Sequence, residues 1–411
     1  MKILLINSHH RMIGGTEKYY FELANLLKKH GHQVAFFSMK HERNVKTKWQ
    51  KYFVSKIKFV KSGPRGFLKN LSRMFYSFES KRQISKILND FRPDIVHMQN
   101  IYFYLSSSII PEIKKRNIPI VQTLHDYQVI TPSIIFFHDG KVCEVTKKNK
   151  FYQAFFHKCI KQSYIASLLS VITSYAQNLN KFHEKGVDVF ITPSEFMNKK
   201  MSEYDFGRKK LITLNNFISK SRKNHPIVNG DKYILYFGRL SEAKGIFLIL
   251  HLAKLLPNIK IKIAGNFEDK EVEKRFKKFV LENEIKNIQL LKFQSSQKIN
   301  RLIQQSAFTI TPSIWYENQP YSILESFTNG KPVLASNIGG IPELVKNKKT
   351  GILFDPNNIH DLVRKVKLLW NNDKLTRKMG KNSKMYVAKN FNPEDHYKKI
   401  IKIYNKLILT K

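Results

Sequence analysis

The feature that most constrains this chain is a repeating rhythm. A short apolar run ends in a turn, and a stretch with apolar residues at helical spacing follows it. Ile3–Ile6 is such a run, bounded by Asn7, Ser8, His9 and His10. After Gly14 and Gly15, residues Tyr19, Tyr20, Leu23, Leu26 and Leu27 recur at the spacing of one helical face, and Gly31 ends that helix. Apolar runs return at 33–38, 94–98, 119–124 and 188–192. Strands alternating with helices predict parallel sheets with helices on both faces. Residues 219–231 break the rhythm: they are polar, contain Pro226 and Gly230, and read as a linker. Strands are then predicted at 233–237, 260–264, 287–292, 308–311, 332–335 and 351–354, with helical segments from Ile359 to the end. The expected fold class is α/β, with two doubly wound domains facing across a cleft, the first over 1–220 and the second over 221–390. Ligands of open parallel sheets bind beyond the carboxyl ends of the strands. The loops after Ile6, Leu124, Phe237 and Thr311 are therefore expected to form the site.

Charge narrows the partners. The 411 residues carry 72 Lys and Arg against 31 Asp and Glu, a net charge of +41. Such a surplus attracts nucleic acid, an acidic lipid surface or a phosphorylated substrate. A non-catalytic basic nucleic-acid-binding protein is one alternative. Against it, the cations are spread along the chain and no zinc-finger or RNP-type pattern occurs. Between Lys40 and Arg92 stand fifteen basic residues and three acids, interleaved with aromatics, and Phe67, Leu71, Met74 and Phe78 share one helical face. A basic amphipathic segment of this kind suits an anionic membrane surface. The run after Lys2 is too short for a secretory signal, and no run approaches the roughly 18 apolar residues of a spanning helix. With only Cys143 and Cys159, a disulfide scaffold is excluded and a reducing compartment is expected. The expected location is cytoplasmic and peripheral, at the inner face of the plasma membrane.

Two blocks carry the chemistry. In YILYFGRLSEAKG (233–245), a strand runs into Gly238 and Arg239, and Lys244 and Gly245 open the next helix. Fixed cations beside a helix N-terminus suit a diphosphate. In SIWYENQPYSILES (313–326), Glu317 is predicted in a loop, Pro320 in the first turn of a helix, and Glu325 within it. One carboxylate can accept from sugar hydroxyls and the other from a ribose. The first-turn amides of Tyr321, Ser322, Ile323 and Leu324 can meet phosphate. Gly14–Gly15 and Gly339–Gly340 each precede a helix, where backbone can approach a ligand closely.

With these motifs in place, the chain resembles the retaining family-four glycosyltransferases of GT-B fold over essentially its whole length. The resemblance runs through GGTE (14–17), TLHDY (123–127), PSEF (193–196), NNFI (215–218), the Arg-x4-Lys and Glu-x7-Glu blocks, and GGIPELV (339–345). WYENQPYSILES resembles bacterial members that build capsule, lipopolysaccharide or exopolysaccharide. The resemblance implies two Rossmann-like domains, the second binding the nucleotide sugar, with helix 391–411 packed back on the first. It implies that Arg239 and Lys244 grip the donor diphosphate, Glu325 holds the ribose, and Glu317 contacts the transferred sugar. His125 would stand by the reaction centre, with Asp126 orienting it, and Gly15 would place its amide near the phosphates. The implied activity moves a hexose-type sugar, with retention, from a nucleotide diphosphate sugar to a glycan acceptor, lipid-linked in such pathways. An inverting GT-B transferase is the other enzymatic reading. No Asp-x-Asp pair occurs, so no metal and no cofactor beyond the donor is expected. Similar bacterial enzymes carry further cysteines where this chain has Thr131 and Thr146; no metal is expected there either.

Overall fold

The computed structural model describes residues 1–56, 73, 76–207, 210–219 and 231–410. Phe67, Leu71 and Met74 of the expected amphipathic face, and most of the expected linker, lie outside the described residues. Two compact units are present. One comprises Met1–Phe136, Glu144–Phe217 and Pro393–Lys411, the other Phe137–Cys143 and Ile218–Asn392.

The first unit contains β1 (Lys2–Ile6), β2 (Gln33–Phe37), β3 (Ile95–Met98) and β4 (Ile120–Thr123). A small antiparallel hairpin of β5 (Phe137–His138) and β6 (Lys141–Val142) follows and groups with the second unit. The first sheet then ends with β7 (Val189–Thr192) and β8 (Leu211–Thr213). Its order is β2-β1-β3-β4-β7-β8, with every pairing parallel. β1 is paired on both edges, Ile6 lying beside Phe37 and Met98. Its four consecutive apolar residues, Ile3–Ile6, are fully buried, because both faces of a central parallel strand are covered. The helix Pro393–Leu409 belongs to this unit and buries His396, Ile400 and Tyr404, four residues apart on one face.

The second unit contains β9 (Ile234–Phe237), β10 (Ile261–Ala264), β11 (Ile288–Leu291), β12 (Phe308–Thr311), β13 (Val333–Ser336) and β14 (Gly351–Phe354), ordered β11-β10-β9-β12-β13-β14. The chain works outward from β9 to β11, then returns to lay β12 along the other side of β9. Where neighbouring strands send their connections in opposite directions, a crevice opens at their carboxyl ends. In this unit the crevice lies between the loops after β9 and β12. In the first unit it lies between those after β1 and β3.

Every apolar run read from the sequence is a strand. Two elements were not foreseen: β8, whose three residues are half-exposed at a sheet edge, and the β5–β6 hairpin, whose two-residue strands are too short for periodicity to register.

Candidate active site

In the second unit, β9 ends at Phe237, and the amide of the next residue, Gly238, donates to the Ala264 carbonyl of β10 at 3.0 Å. The Tyr236 phenol donates to the next carbonyl, that of Arg239, at 2.5 Å. Burial, followed by the nearby Glu317 charge, raises that phenol well above its ordinary range. The Arg239 side chain is 57% exposed and donates to Glu268 Oε1 at 3.2 Å. Lys244 closes the loop, and Gly245 caps the helix Ile246–Leu255 with φ +74°. A Cβ at Gly245 would stand 1.8 Å from the Pro312 carbonyl oxygen. Glycine thus lets the loop after β9 close on the loop after β12.

That closure joins Lys244 to Glu317. Glu317 Oε1 accepts from Lys244 Nζ at 2.5 Å, from Ser313 Oγ at 2.7 Å and from Trp315 Nε1 at 3.0 Å. The Lys244 ammonium also lies 5.0 Å from the centre of a Trp315 ring. Glu317 is buried, and its Oε2 takes no hydrogen bond among the described residues. Gly340 donates its amide to the Glu317 carbonyl at 2.6 Å, so the second glycine pair braces this residue. Ser313 and Trp315 were not singled out in the sequence. Their places four and two residues before Glu317 were the only signal.

Pro320 is the N-cap of the helix Tyr321–Thr328, one position earlier than the first turn expected for it. Tyr321, Ile323 and Leu324 bury their side chains, so they can meet a ligand only through backbone, and the Ile323 amide turns back to the Pro320 carbonyl at 3.2 Å. Glu325 stands within the helix and is partly buried. The positive end of this helix and the two cations of the β9 loop flank the same switch point.

In the first unit, Gly14 precedes the helix Gly15–Lys29. Its amide donates to Glu17 Oε2 at 3.0 Å, because a carboxylate three residues on caps the helix start. Asn7 Nδ2 donates to Glu17 Oε1 at 3.4 Å and holds that carboxylate. Gly15 is the first helical residue. Gly14 has extended backbone, and a Cβ there would meet only Glu17 Oε2, at 3.8 Å.

His125 follows β4 closely, and its Nε2 lies 2.6 Å from Gln99 Oε1. A carboxamide oxygen only accepts, so Nε2 carries the hydrogen and Nδ1 the lone pair. Burial holds this imidazole at about 3, hence neutral. Asp126 does not orient it, contrary to expectation. Its carboxylate accepts from Asn100 Nδ2 at 2.8 Å and from the Gln128 amide at 3.0 Å, because its side chain turns to the loop after β3. Burial pushes Asp126 up to about 6. Gln99 and Asn100 went unnoticed in the sequence, although they stand where β3 ends at the switch point.

Beneath His125 runs a buried polar chain. The Asn215 carbonyl accepts from His396 Nδ1 at 3.0 Å, and His396 Nε2 meets the Tyr19 hydroxyl at 3.1 Å. Tyr19 also hydrogen-bonds Thr123, whose hydroxyl lies 2.8 Å from His97 Nε2. His97 Nδ1 lies 2.5 Å from the Tyr404 hydroxyl. Elsewhere Thr131 and Thr146 meet at 2.9 Å through their hydroxyls, and Cys159 packs against Phe151, Ala154 and Val171. No group of three or more metal-binding side chains occurs among the described residues.

The sequence profile of Glycosyltransferase Family 4 matches residues 13–222, and that of Glycosyl transferases group 1 matches residues 217–386. The chain is 26% identical over 358 residues, 84% of its length and 87% of the relative's, to an uncharacterized 42.6 kDa protein in the cps region of Klebsiella pneumoniae. It is 31% identical over 113 residues to the UDP-Gal:alpha-D-GlcNAc-diphosphoundecaprenol alpha-1,3-galactosyltransferase of Escherichia coli, 28% of this chain and 29% of that one. The crystal structure of Anabaena Alr3699/HepE in complex with UDP and glucose shares the fold at a TM-score of 0.70, with 14% identity over 99% of this chain and 100% of that one.

Proposed function

The chain belongs to glycosyltransferase family 4, and from that premise we propose that it moves a hexose from a nucleoside diphosphate sugar to a lipid-linked glycan, with retention and without a metal ion. That it is a glycosyltransferase of GT-B fold comes with membership. The finer reading rests on one observation: Lys244, at the switch point of the second sheet, is held against the buried Glu317, with Arg239 on the same loop. As the bond from sugar to diphosphate breaks, negative charge collects on the departing oxygens. Two cations and the amides of Tyr321 and Ser322, at the start of the helix Tyr321–Thr328, can stabilise it in place of an ion. A lysine ammonium has three N–H groups, so Lys244 can donate to Glu317 and to phosphate together. Arg239 exchanges Glu268 for the second phosphate.

Within the second unit, Glu317 Oε2 then accepts from the transferred sugar, Glu325 from the ribose, and Gly238 leaves room beside Arg239. For the first unit, the role proposed for neutral His125 is a hydrogen bond to sugar, and for Gly15 an amide offered to phosphate. The acceptor oxygen bonds to the anomeric carbon on the face the diphosphate leaves, and its proton passes to the departing phosphate oxygen. No enzyme nucleophile takes part.

Relatives support the partners. One transfers from UDP-Gal to a diphosphoundecaprenol-linked sugar, and another lies in a cps region. We place this chain likewise in surface-polysaccharide synthesis, at the cytoplasmic face of an anionic membrane, with no nucleic-acid partner. A thermal-shift panel of UDP-, GDP-, ADP- and TDP-sugars, UDP first, followed by transfer assays with NMR of the product anomer, tests the reading. Protection by one nucleotide sugar and a retained anomer that survives chelator are expected. An inverted product, or turnover lost to chelator and restored by magnesium, overturns it.

A further inference from the structure

The helix Tyr164–Asn180 is built inside out. Its 17 residues include no Asp, Glu, Lys or Arg, in a chain where a quarter of all residues are charged. Ordinarily such a helix turns its aliphatic side chains to the core. Here the buried face carries Ser167, Ser170 and Thr173 beside a single Val171. Their hydroxyls are used by backbone: Ser167 Oγ accepts from the Ile160 amide at 3.0 Å, Ser170 Oγ donates to the Pro132 carbonyl at 2.9 Å, and Thr173 Oγ1 donates to the Leu169 carbonyl at 2.7 Å. The outer face presents Ile165 (69% exposed), Leu168, Ile172 and Leu179 (82% exposed). Those positions fall on one stripe at 3.6 residues per turn. Phe155 extends the patch, its ring 5.3 Å from that of Tyr164, and Phe156 beside it is exposed.

Lysines frame this patch. Residues 145–186 contain seven lysines and one acid, Glu184. Lys158 and Lys161 stand before the helix, and Lys181 and Lys185 after it. Lys158 Nζ lies 4.3 Å from the centre of the Tyr164 ring, at the edge between apolar face and cation.

We infer that the outer face of the helix Tyr164–Asn180 docks in the plane of an anionic phospholipid bilayer, its aliphatic stripe among the acyl chains and its flanking lysines on the headgroups. Charge selects this occupant. A second copy of the chain would bring the same lysines face to face, whereas an anionic leaflet complements them. No helix of the described residues is long and apolar enough to cross a membrane, so the contact is in-plane. The inference deepens the proposed function and rests on it only for the lipid-linked acceptor that gives docking its purpose.

Co-sedimentation of the full chain with phosphatidylglycerol–phosphatidylcholine vesicles, and with phosphatidylcholine alone, tests it. The double variant Ile165→Glu/Ile172→Glu, at exposed positions, should lose binding to anionic vesicles by at least tenfold. Lys158→Glu/Lys161→Glu should lose a comparable amount, and pure phosphatidylcholine should bind neither the parent nor the variants. Melting temperature and protection by UDP-sugar should stay unchanged in both, which separates loss of docking from loss of fold or donor site. If both variants bind anionic vesicles as the parent does, the inference is overturned. A concentration-dependent dimer abolished by Ile165→Glu/Ile172→Glu, with vesicle binding intact, would assign the face to a second copy instead. If vesicle binding behaves as expected while no nucleotide sugar protects the chain, docking stands and the donor reading fails.

Discussion

A methyl group on Gly339 would stand 2.5 Å from the carbonyl oxygen of Glu317 and 2.7 Å from its amide nitrogen. Gly339 also holds φ at +60°, in the left-handed region. Backbone meets backbone there, so neither side can yield by rotating a side chain. Gly339→Ala should therefore displace Glu317 and with it the partner of Lys244. We expect kcat to fall by roughly 10²-fold, the scale of losing one transition-state contact. Gly31→Ala is the control: φ is +79° but no atom lies within 4 Å of the added Cβ, so only the conformational cost of about 1–2 kcal/mol applies. Equal turnover in the two variants would refute the bracing role.

Arg239 and Lys244 should separate in stability while agreeing in activity. Removing either cation should lower kcat by roughly 10²-fold or more. Lys244→Ala also strands a buried carboxylate, which typically costs about 3–5 kcal/mol, and should lower Tm. The pair of Arg239 with Glu268 is surface-exposed, so Arg239→Ala should leave Tm nearly unchanged. Near-normal turnover in both variants would sink the assignment of the site.

Acid should destabilise the fold well before its carboxylates are neutralised. Burial holds His97, His125 and His396 at about 3, and His9, His10 and His183 at about 4, below the ordinary 6.5. Below pH 6.5 the unfolded chain takes up protons that the folded chain refuses. Stability is thus complete above pH 6.5 and declines as pH falls toward 3. Asp126 works the other way: pushed up to about 6 from 3.8, it adds stability at low pH that is lost as pH rises through 6. Six rings against one carboxyl decide the sign. Calorimetry between pH 7.5 and 4.5 should show a falling Tm with proton uptake on unfolding; a flat or rising Tm contradicts it.

Tyr404→Phe should loosen the C-terminal helix without touching the site. The hydroxyl it removes is bonded to His97, and both residues are fully buried. Leaving a buried imidazole nitrogen unsatisfied costs about 1–3 kcal/mol. Hydrogen exchange should rise in Pro393–Leu409 before it rises in β1, and unchanged protection there would show that the bond carries no weight.

The alternation of apolar runs with helical stretches, read without any structure, located the two sheets, because a parallel strand buried on both faces must be apolar end to end, as Ile3–Ile6 is. Spacing alone also put Arg239, Lys244, Glu317 and Glu325 on loops and a helix start at the carboxyl ends of β9 and β12. Which atoms meet was a different matter. That Lys244 reaches across to Glu317, 73 residues on, depends on Gly245 closing against Pro312, and that Gly339 braces Glu317 depends on two loops packing together. His125 turned out to pair with Gln99 rather than with its neighbour Asp126, and the Gly14 amide with Glu17. Periodicity encodes which face a residue presents, since that is set by burial along one element. Hydrogen-bond partners are set by approach between elements distant in sequence, which only the folded chain decides.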